Sequence, residues 1–261
     1  MKENRAGVDA ISGYHGVAEA LRKRHPGILS LWVAKEKGNR RARELIGVAE
    51  EMGIPVSYRE RSELDRLLPG VSHQGIVARV EQFHYASLDH LIRTSLASEG
   101  HGLLVIADHI TDEGNLGAIV RTAAFFGSHG LILPKDRSAK VSGLVVKRSA
   151  GALVHLPVAQ VVNLPRTLDE LNKQGFWIIG AAGEGTESVY GFDWNRDVAL
   201  VLGREDRGLT RAVRERCHQL VKVPGAGRVE SLNVAVACGA VLSEIRRQRL
   251  VAEDTRRGGD V

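Results

Sequence analysis

Three short segments combine glycine with polar residues where apolar, strand-like runs give way to helical ones. The first, Asn115-Leu116-Gly117-Ala118-Ile119-Val120-Arg121-Thr122-Ala123, follows the run LLVIAD. Asn115 suits a helix cap, Gly117 permits close backbone approach, and Arg121, one turn later, projects from the same face as Gly117. The second, Leu202-Gly203-Arg204-Glu205-Asp206-Arg207-Gly208-Leu209, sets four charges between two glycines directly after VALVLG. It puts a carboxylate, Glu205, at the end of a buried strand, where sheet proteins gather ligands. The third runs from Val223 to Ala237, a glycine-rich loop meeting a helix opened by Ser231 and Asn233. Taken singly, each segment also reads blandly: a capped helix with a solvent-facing arginine, a solvated turn whose charges pair among themselves, a loop capped by Ser231. Capping accounts for Asn233 less well.

These segments need a scaffold, and the apolar pattern supplies one. Residues 13–25, 40–52 and 62–68 read as helices and residues 29–34, 54–58 and 75–80 as strands, a compact αβ unit ending near residue 82. Residues 83–102 are sparse in apolar side chains and end in a Ser, Glu, Gly, His, Gly cluster, which reads as a linker with one short helix. From Leu103 the buried-looking runs LLVIAD, GLILP, FWIIGAA and VALVLG alternate with helical stretches, as in a parallel sheet covered on both faces. The carboxyl ends of those strands carry Asp108, residues 180–185, residues 203–206 and residues 224–227. This larger domain spans 103–250, and the charged end, 251–261, is expected to fray.

The 261 residues carry 36 Lys and Arg against 31 Asp and Glu, a net charge of +5 that suits a polyanionic partner without demanding one. Clusters at Arg22-Lys23-Arg24 and from Lys35 to Arg43 could contact phosphates or simply form a solvated face. Only 5% of residues are aromatic, which disfavours base stacking as the main mode of nucleic-acid binding. Cys217 and Cys238 lie far apart with no CxxC spacing, so no disulfide framework or thiolate metal site is indicated and the chain reads as cytoplasmic. No run is long enough to span a membrane, and no HxxxH, HExxH or DxDxDG pattern supports a metal. GxGxxG, GxxxxGK[ST] and GxSxG are all missing after strands, which disfavours dinucleotide enzymes, phosphate-loop enzymes and serine hydrolases.

In combination and order, the three segments resemble the motifs of the SpoU/TrmH family of RNA ribose 2′-O-methyltransferases. Asn115, Gly117, Arg121, Thr122 and Ala123 match the first motif; Gly203, Glu205 and Gly208 the second; Pro224, Ser231, Leu232, Asn233, Val234 and Ala237 the third. The likeness extends to residues 134–138, 147–152 and 73–78 and is greatest toward the branch acting on a guanosine ribose in bacterial large-subunit rRNA. It implies an α/β fold in which a small ribosomal-protein-like αβ domain binds RNA and precedes a parallel-sheet domain with a C-terminal trefoil knot. It further implies S-adenosylmethionine as cofactor, held by loops containing Ala181, Gly183, Leu202, Gly203, Val223 and Leu232. Arg121 would stand beside the 2′-hydroxyl. Asn115 and Glu205 would orient Arg121 or the ribose, and Ser231 and Asn233 would hold the loop and cofactor. A homodimer acting on rRNA, with no metal and no membrane, is the expectation. The alternatives are tRNA as substrate, or a catalytically silent RNA-binding or ribosome-assembly factor.

Overall fold

In a computed structural model of the chain, the structure describes residues 8–22, 27–35, 40–70, 72–81, 83–228 and 231–258. Part of the basic clusters, Lys23, Arg24 and residues 36–39, lies outside the described residues. The chain divides into two compact units, Met1–His84 and Tyr85–Val261.

The first unit contains β1 (Val8–Ser12), α1 (Gly13–Arg22), β2 (Ile28–Ala34), α2 (Arg40–Glu51), β3 (Val56–Arg59), α3 (Arg61–Leu67) and β4 (Ile76–Glu81). The sheet order is β1-β4-β2-β3. β4 pairs antiparallel with β1 and β2, whereas β2 and β3 are parallel. Alternation in β2 sends Leu31 and Val33 to one face, where they meet Val17 and Leu21 of α1, Leu45 and Ala49 of α2, and Ile76 and Ala78 of β4. The helices and the other three strands match the apolar periodicity. β1 does not, because VDAIS is short and half polar and is held by its pairing to β4.

The second unit contains α4 (Leu88–Leu96), β5 (Leu103–Ala107), α5 (Glu113–Phe125), β6 (Gly130–Pro134), α6 (Gly143–Arg148), a 3₁₀ turn (Ala152–Val154), β7 (Val158–Val161), α7 (Leu164–Lys173), β8 (Trp177–Ala181), β9 (Glu187–Ser188), β10 (Val198–Leu202), α8 (Arg211–Arg214), β11 (Gln219–Lys222) and α9 (Val234–Gly258). Its strands form a seven-stranded sheet in the order β7-β6-β5-β10-β8-β11-β9, and every pairing is parallel. Leu104 and Ile106 of β5 pack with α4, α7 and α8, while Leu103 and Val105 are equally buried on the other face, so the sheet is covered on both sides. α5 packs against both α6 and α9.

Two boundaries differ from the sequence-based expectation. Residues 85–102 contain the one short helix expected there, α4, but pack into the second unit: Ala86 bridges Ala159 of β7, the Tyr85 hydroxyl accepts from Val141 N at 3.0 Å, and Leu91 and Ile92 of α4 are buried. Leu91 and Ile92, with Leu88 one turn before them packed against the same cluster, seat this short helix on the sheet. The chain does not leave helical structure at Leu250 either, since α9 continues to Gly258. Arg249 anchors that stretch by donating to the carbonyls of His101, Gly102 and Arg196, and burial pushes its guanidinium pKa down to about 10.

Candidate active site

Sheet topology decides where ligands meet this unit. Strands β5, β10, β8 and β11 are neighbours and parallel, so the loops after them emerge on one edge. Chain order reverses direction across the β5–β10 pair, the position at which open α/β sheets bind ligands.

At that edge α5 starts after Asp112, whose side chain accepts from Asn115 N at 2.6 Å. Asp112, not Asn115, is therefore the cap. Asn115 stands inside the first turn with its carboxamide free for other work. The same reassignment occurs at α9. The Asn233 side-chain oxygen accepts from Ala235 N at 2.9 Å and Val236 N at 3.3 Å, making Asn233 the cap. Ser231, expected to cap, is exposed and forms no hydrogen bond among the described residues.

The Asn115 carboxamide and the remaining Nδ2 of the Asn233 cap converge on Glu205. Asn115 Nδ2 donates to Glu205 Oε1 at 3.1 Å, Asn233 Nδ2 donates to the same oxygen, and Asn233 Nδ2 also lies 3.0 Å from Asn115 Oδ1. Val234 N donates to Glu205 Oε1 at 3.2 Å, placing the carboxylate at the positive end of a 25-residue helix. Three of the five expected catalytic residues, each from a different segment, thus form one polar cluster.

Glu205 reaches the cluster because its loop is closed without it. Arg204 and Gly208 exchange backbone hydrogen bonds of 3.0 and 2.9 Å, and Arg204 grips Asp206 through two contacts of 2.9 and 2.7 Å. The charges pair locally except Glu205. Gly203 is buried beneath this turn: a Cβ there would lie 2.3 Å from Gly208 C and 2.5 Å from Leu209 N. Its missing side chain serves loop closure, a different reason from the ligand approach expected of it.

Asp108, which in the sequence marks only a strand end, is fully buried and ties two loops together. Asp108 Oδ2 accepts from Thr210 N at 2.6 Å, Oδ1 lies 2.6 Å from His109 Nδ1, and Asp108 N donates to Leu202 O. A carboxylate ending an otherwise apolar strand is the signal that could have found it. Burial, and secondarily the Asp108 charge, pushes the Cys217 thiol up to about 12.

Arg121 stands apart from the cluster. It is exposed and forms no hydrogen bond or ion pair among the described residues. Six residues beyond Asn115, it lies about 9 Å further along α5. Gly117, on its own face, is where α6 crosses closely, since a Cβ there would come within 2.4 Å of Arg148 Cβ.

The residues expected to hold a cofactor follow three adjacent strands. Ala181 ends β8 and Gly183 lies in the loop after it; Leu202 ends β10 and Gly203 follows it; Val223 follows β11 and Leu232 precedes α9. Leu202 is wholly within the sheet core and offers only backbone, whereas Val223 is half-buried and Leu232 is 48% exposed. No atom lies within 4 Å of where a Cβ on Gly183 would stand, so this loop leaves room beside the strand ends. Three loops that follow adjacent strand ends, one of them open beside Gly183, fit an adenosyl group held by main-chain contacts. Among the described residues, no group of three His, Cys, Asp or Glu could hold a metal, and no helix is long and apolar enough to cross a membrane.

A parallel α/β domain with a polar cluster beyond its strand ends, preceded by a small mixed-sheet αβ unit, defines a two-domain α/β protein with a candidate site at the sheet edge. Residues 102–243 match the SpoU rRNA methylase family and residues 10–86 match the RNA 2′-O ribose methyltransferase substrate-binding family. The chain belongs to the SpoU RNA methyltransferase family. It is 41% identical over 246 residues to the 23S rRNA (guanosine-2′-O-)-methyltransferase RlmB of Pseudomonas aeruginosa, covering 94% of this chain and 98% of that one. It is 39% identical over 244 residues to RlmB of Pasteurella multocida, covering 92% and 98%. The crystal structure of the SpoU methyltransferase AviRb from Streptomyces viridochromogenes, in complex with the cofactor AdoMet, superposes with a TM-score of 0.63 at 29% identity, covering 95% of this chain and 92% of that one.

Proposed function

We propose that this enzyme transfers a methyl group from S-adenosylmethionine to the ribose 2′-oxygen of a guanosine in large-subunit, 23S-type rRNA. The observation that carries the reading is the cluster in which Asn115, Glu205 and Asn233 interlock, because it joins all three motifs at the ligand edge of the sheet. The names of the relatives in Pseudomonas aeruginosa and Pasteurella multocida support the substrate.

When bound, S-adenosylmethionine supplies a methyl group activated by a sulfonium. The loops bearing Ala181, Gly183, Leu202, Gly203, Val223 and Leu232 hold and orient it. A ribose hydroxyl keeps its proton far above neutral pH, so negative charge developing on the 2′-oxygen must be stabilised. We assign this to Arg121, whose donors are unspent among the described residues: it positions the 2′-oxygen and stabilises its charge while the O–CH3 bond forms, the S–CH3 bond breaks and the hydroxyl proton passes to solvent water. Glu205, Asn115 and Asn233 fix the start of α5, the 203–210 turn and the start of α9 relative to one another. Ser231 contributes to the active loop.

The same reading includes a C-terminal trefoil knot, supported by the insertion of β10 between β5 and β8 and of β11 beyond β8. It includes a homodimer, supported by the half-exposed apolar ridge at the start of α9, and a cytoplasmic setting, which suits two free cysteines. It assigns RNA binding to residues 1–82. Mapping 2′-O-methyl sites in cellular RNA with and without the gene tests the proposal. Loss at one rRNA guanosine is expected; loss confined to tRNA, or no loss, overturns it.

A further inference from the structure

The first unit carries a cluster that the methyl-transfer site does not use. Since Leu31 and Val33 of β2 face α1 and α2, alternation puts Ser30, Trp32 and Ala34 on the opposite face of the sheet. Arg79 of β4 is in register with Ser30, and Arg59 of β3 with Ala34, so the two arginines flank Trp32 from the strands on either side. Their guanidinium carbons stand 4.8 Å (Arg79) and 4.9 Å (Arg59) from the centroid of the indole. That stacking holds two like charges close together.

Three polar atoms of this face are buried with no hydrogen-bond partner: Ser30 Oγ, Arg59 Nε and Arg79 Nε. Buried polar atoms are ordinarily satisfied, and guanidinium donors are among the costliest to leave unpaired. Arg79 has no ion pair among the described residues. The carboxylate nearest Arg59 belongs to Glu63, whose Oε1 is 3.9 Å away and whose other oxygen accepts from Glu60 N at the start of α3. Among the described residues, two cations and a hydroxyl of this face are therefore answered by one carboxylate, Glu63, at 3.9 Å from Arg59.

We propose that Arg59, Trp32 and Arg79 form a phosphate clamp for the RNA backbone, an inference that rests on the reading of this chain as an RNA-modifying enzyme. With guanidinium groups stacked on it, the indole is a spacer and not a platform for a nucleobase. The guanidiniums present planar donor sets suited to phosphodiester oxygens, which lysines would not reproduce. The clamp recognises backbone, so it adds affinity and registration of the substrate without reading sequence.

The test uses the full-length protein, with a transcript of the large-subunit rRNA segment that it methylates and a same-length scrambled single strand as probes. In R59Q/R79Q, Kd for both RNAs should weaken about tenfold or more near physiological salt. The slope of log K against log salt should flatten by about 0.7 to 0.9 for each phosphate that the variant no longer neutralises. KM for RNA should rise while kcat at saturating RNA, Kd for S-adenosylmethionine and Tm hold. R59K/R79K should keep the salt slope and recover only part of the affinity. Unchanged RNA affinity and slope in R59Q/R79Q, while the wild type binds and methylates, overturn the clamp alone. So does a lowered Tm with unchanged RNA binding, which would mean that the chain itself fills the site. Should the double variant lose its native melting transition, R79Q, which removes no ion pair, gives the same readings. A wild-type protein that methylates no RNA overturns the functional reading, and the binding titrations still decide the clamp.

Discussion

Asn115 Nδ2 donates to Glu205 Oε1 at 3.1 Å although the two stand 90 positions apart in the chain. The same carboxylate oxygen accepts from Asn233 Nδ2 and Val234 N, so one side chain fastens the starts of α5 and α9 to the turn after β10. Glu205→Ala removes the only acceptor common to these groups. We expect a loss of about 10²-fold in kcat, the size of effect that misplacement of a reacting group by about 1 Å produces. Because the cluster is solvent-exposed, the released donors rehydrate, and the melting temperature should fall by only a few degrees. Single-turnover methylation with saturating cofactor checks this, and a rate near wild type would remove Glu205 from the mechanism.

Arg121 makes the opposite combination of predictions. It is exposed and unpartnered among the described residues, so Arg121→Ala should change stability by less than about 0.5 kcal/mol. Loss of a preorganised donor at the developing oxyanion should nevertheless lower the methylation rate by about 10² to 10³. S-adenosylmethionine affinity, measured by calorimetry, should be unchanged. A variant that loses cofactor binding along with activity would place Arg121 in the cofactor pocket.

The periodicity of the chain reveals most of the scaffold because the buried strands are continuous apolar runs, as in LLVIA of β5 and VALVL of β10. β9 is not legible: its two residues, Glu187 and Ser188, count as strand only because β11 lies alongside. The linker expectation over 83–102 fails on Leu91 and Ile92, whose burial depends on a sheet surface composed of later strands. At the site, residue types are legible and roles are not. Local chemistry suggests Asn115 and Ser231 as caps, yet the helices begin so that Asp112 and Asn233 cap them. A displacement of two or three residues decides whether a carboxamide satisfies its own helix or reaches across to another segment. The meeting of Asn115, Glu205 and Asn233 is set by the crossing of distant loops, which no local pattern encodes.

Asp108 has no exposed surface, and its carboxylate oxygens are both engaged, by Thr210 N and His109 Nδ1. Asp108→Ala leaves a buried backbone donor without an acceptor and frees the loop that carries Glu205. The expected cost is about 1 to 3 kcal/mol, which for a unit of this size lowers Tm by roughly 2 to 12 °C. Asp108→Asn keeps the shape and one acceptor, so it should recover more than half of the loss. Thermal melts of both variants check the order; equal losses would show that both carboxylate oxygens, and not the volume of the side chain, matter at this position.

The start of α9 has two apolar ridges with different fates. Val234, Cys238 and Leu242 are buried within their own unit, and burial pushes the Cys238 thiol up to about 12, which should leave it unreactive toward thiol reagents at about pH 8. Val236 is 57% exposed and Ala240 follows it one turn later on the same face, with Leu232, 48% exposed, just before the helix begins. Exposed apolar residues so spaced form a stripe wider than a solvated helix face requires, which supports pairing with a second copy through this surface. Val236→Arg therefore touches little of the monomer's core and should leave Tm within a few degrees of wild type while converting a dimer to a monomer at micromolar concentration. Cys238→Arg would instead bury an unpaired charge and abolish folding. Sedimentation equilibrium separates the two effects: an unmodified protein that sediments as a monomer across the micromolar range with full activity would overturn the dimer, and a Val236→Arg protein that remains dimeric would move the interface elsewhere.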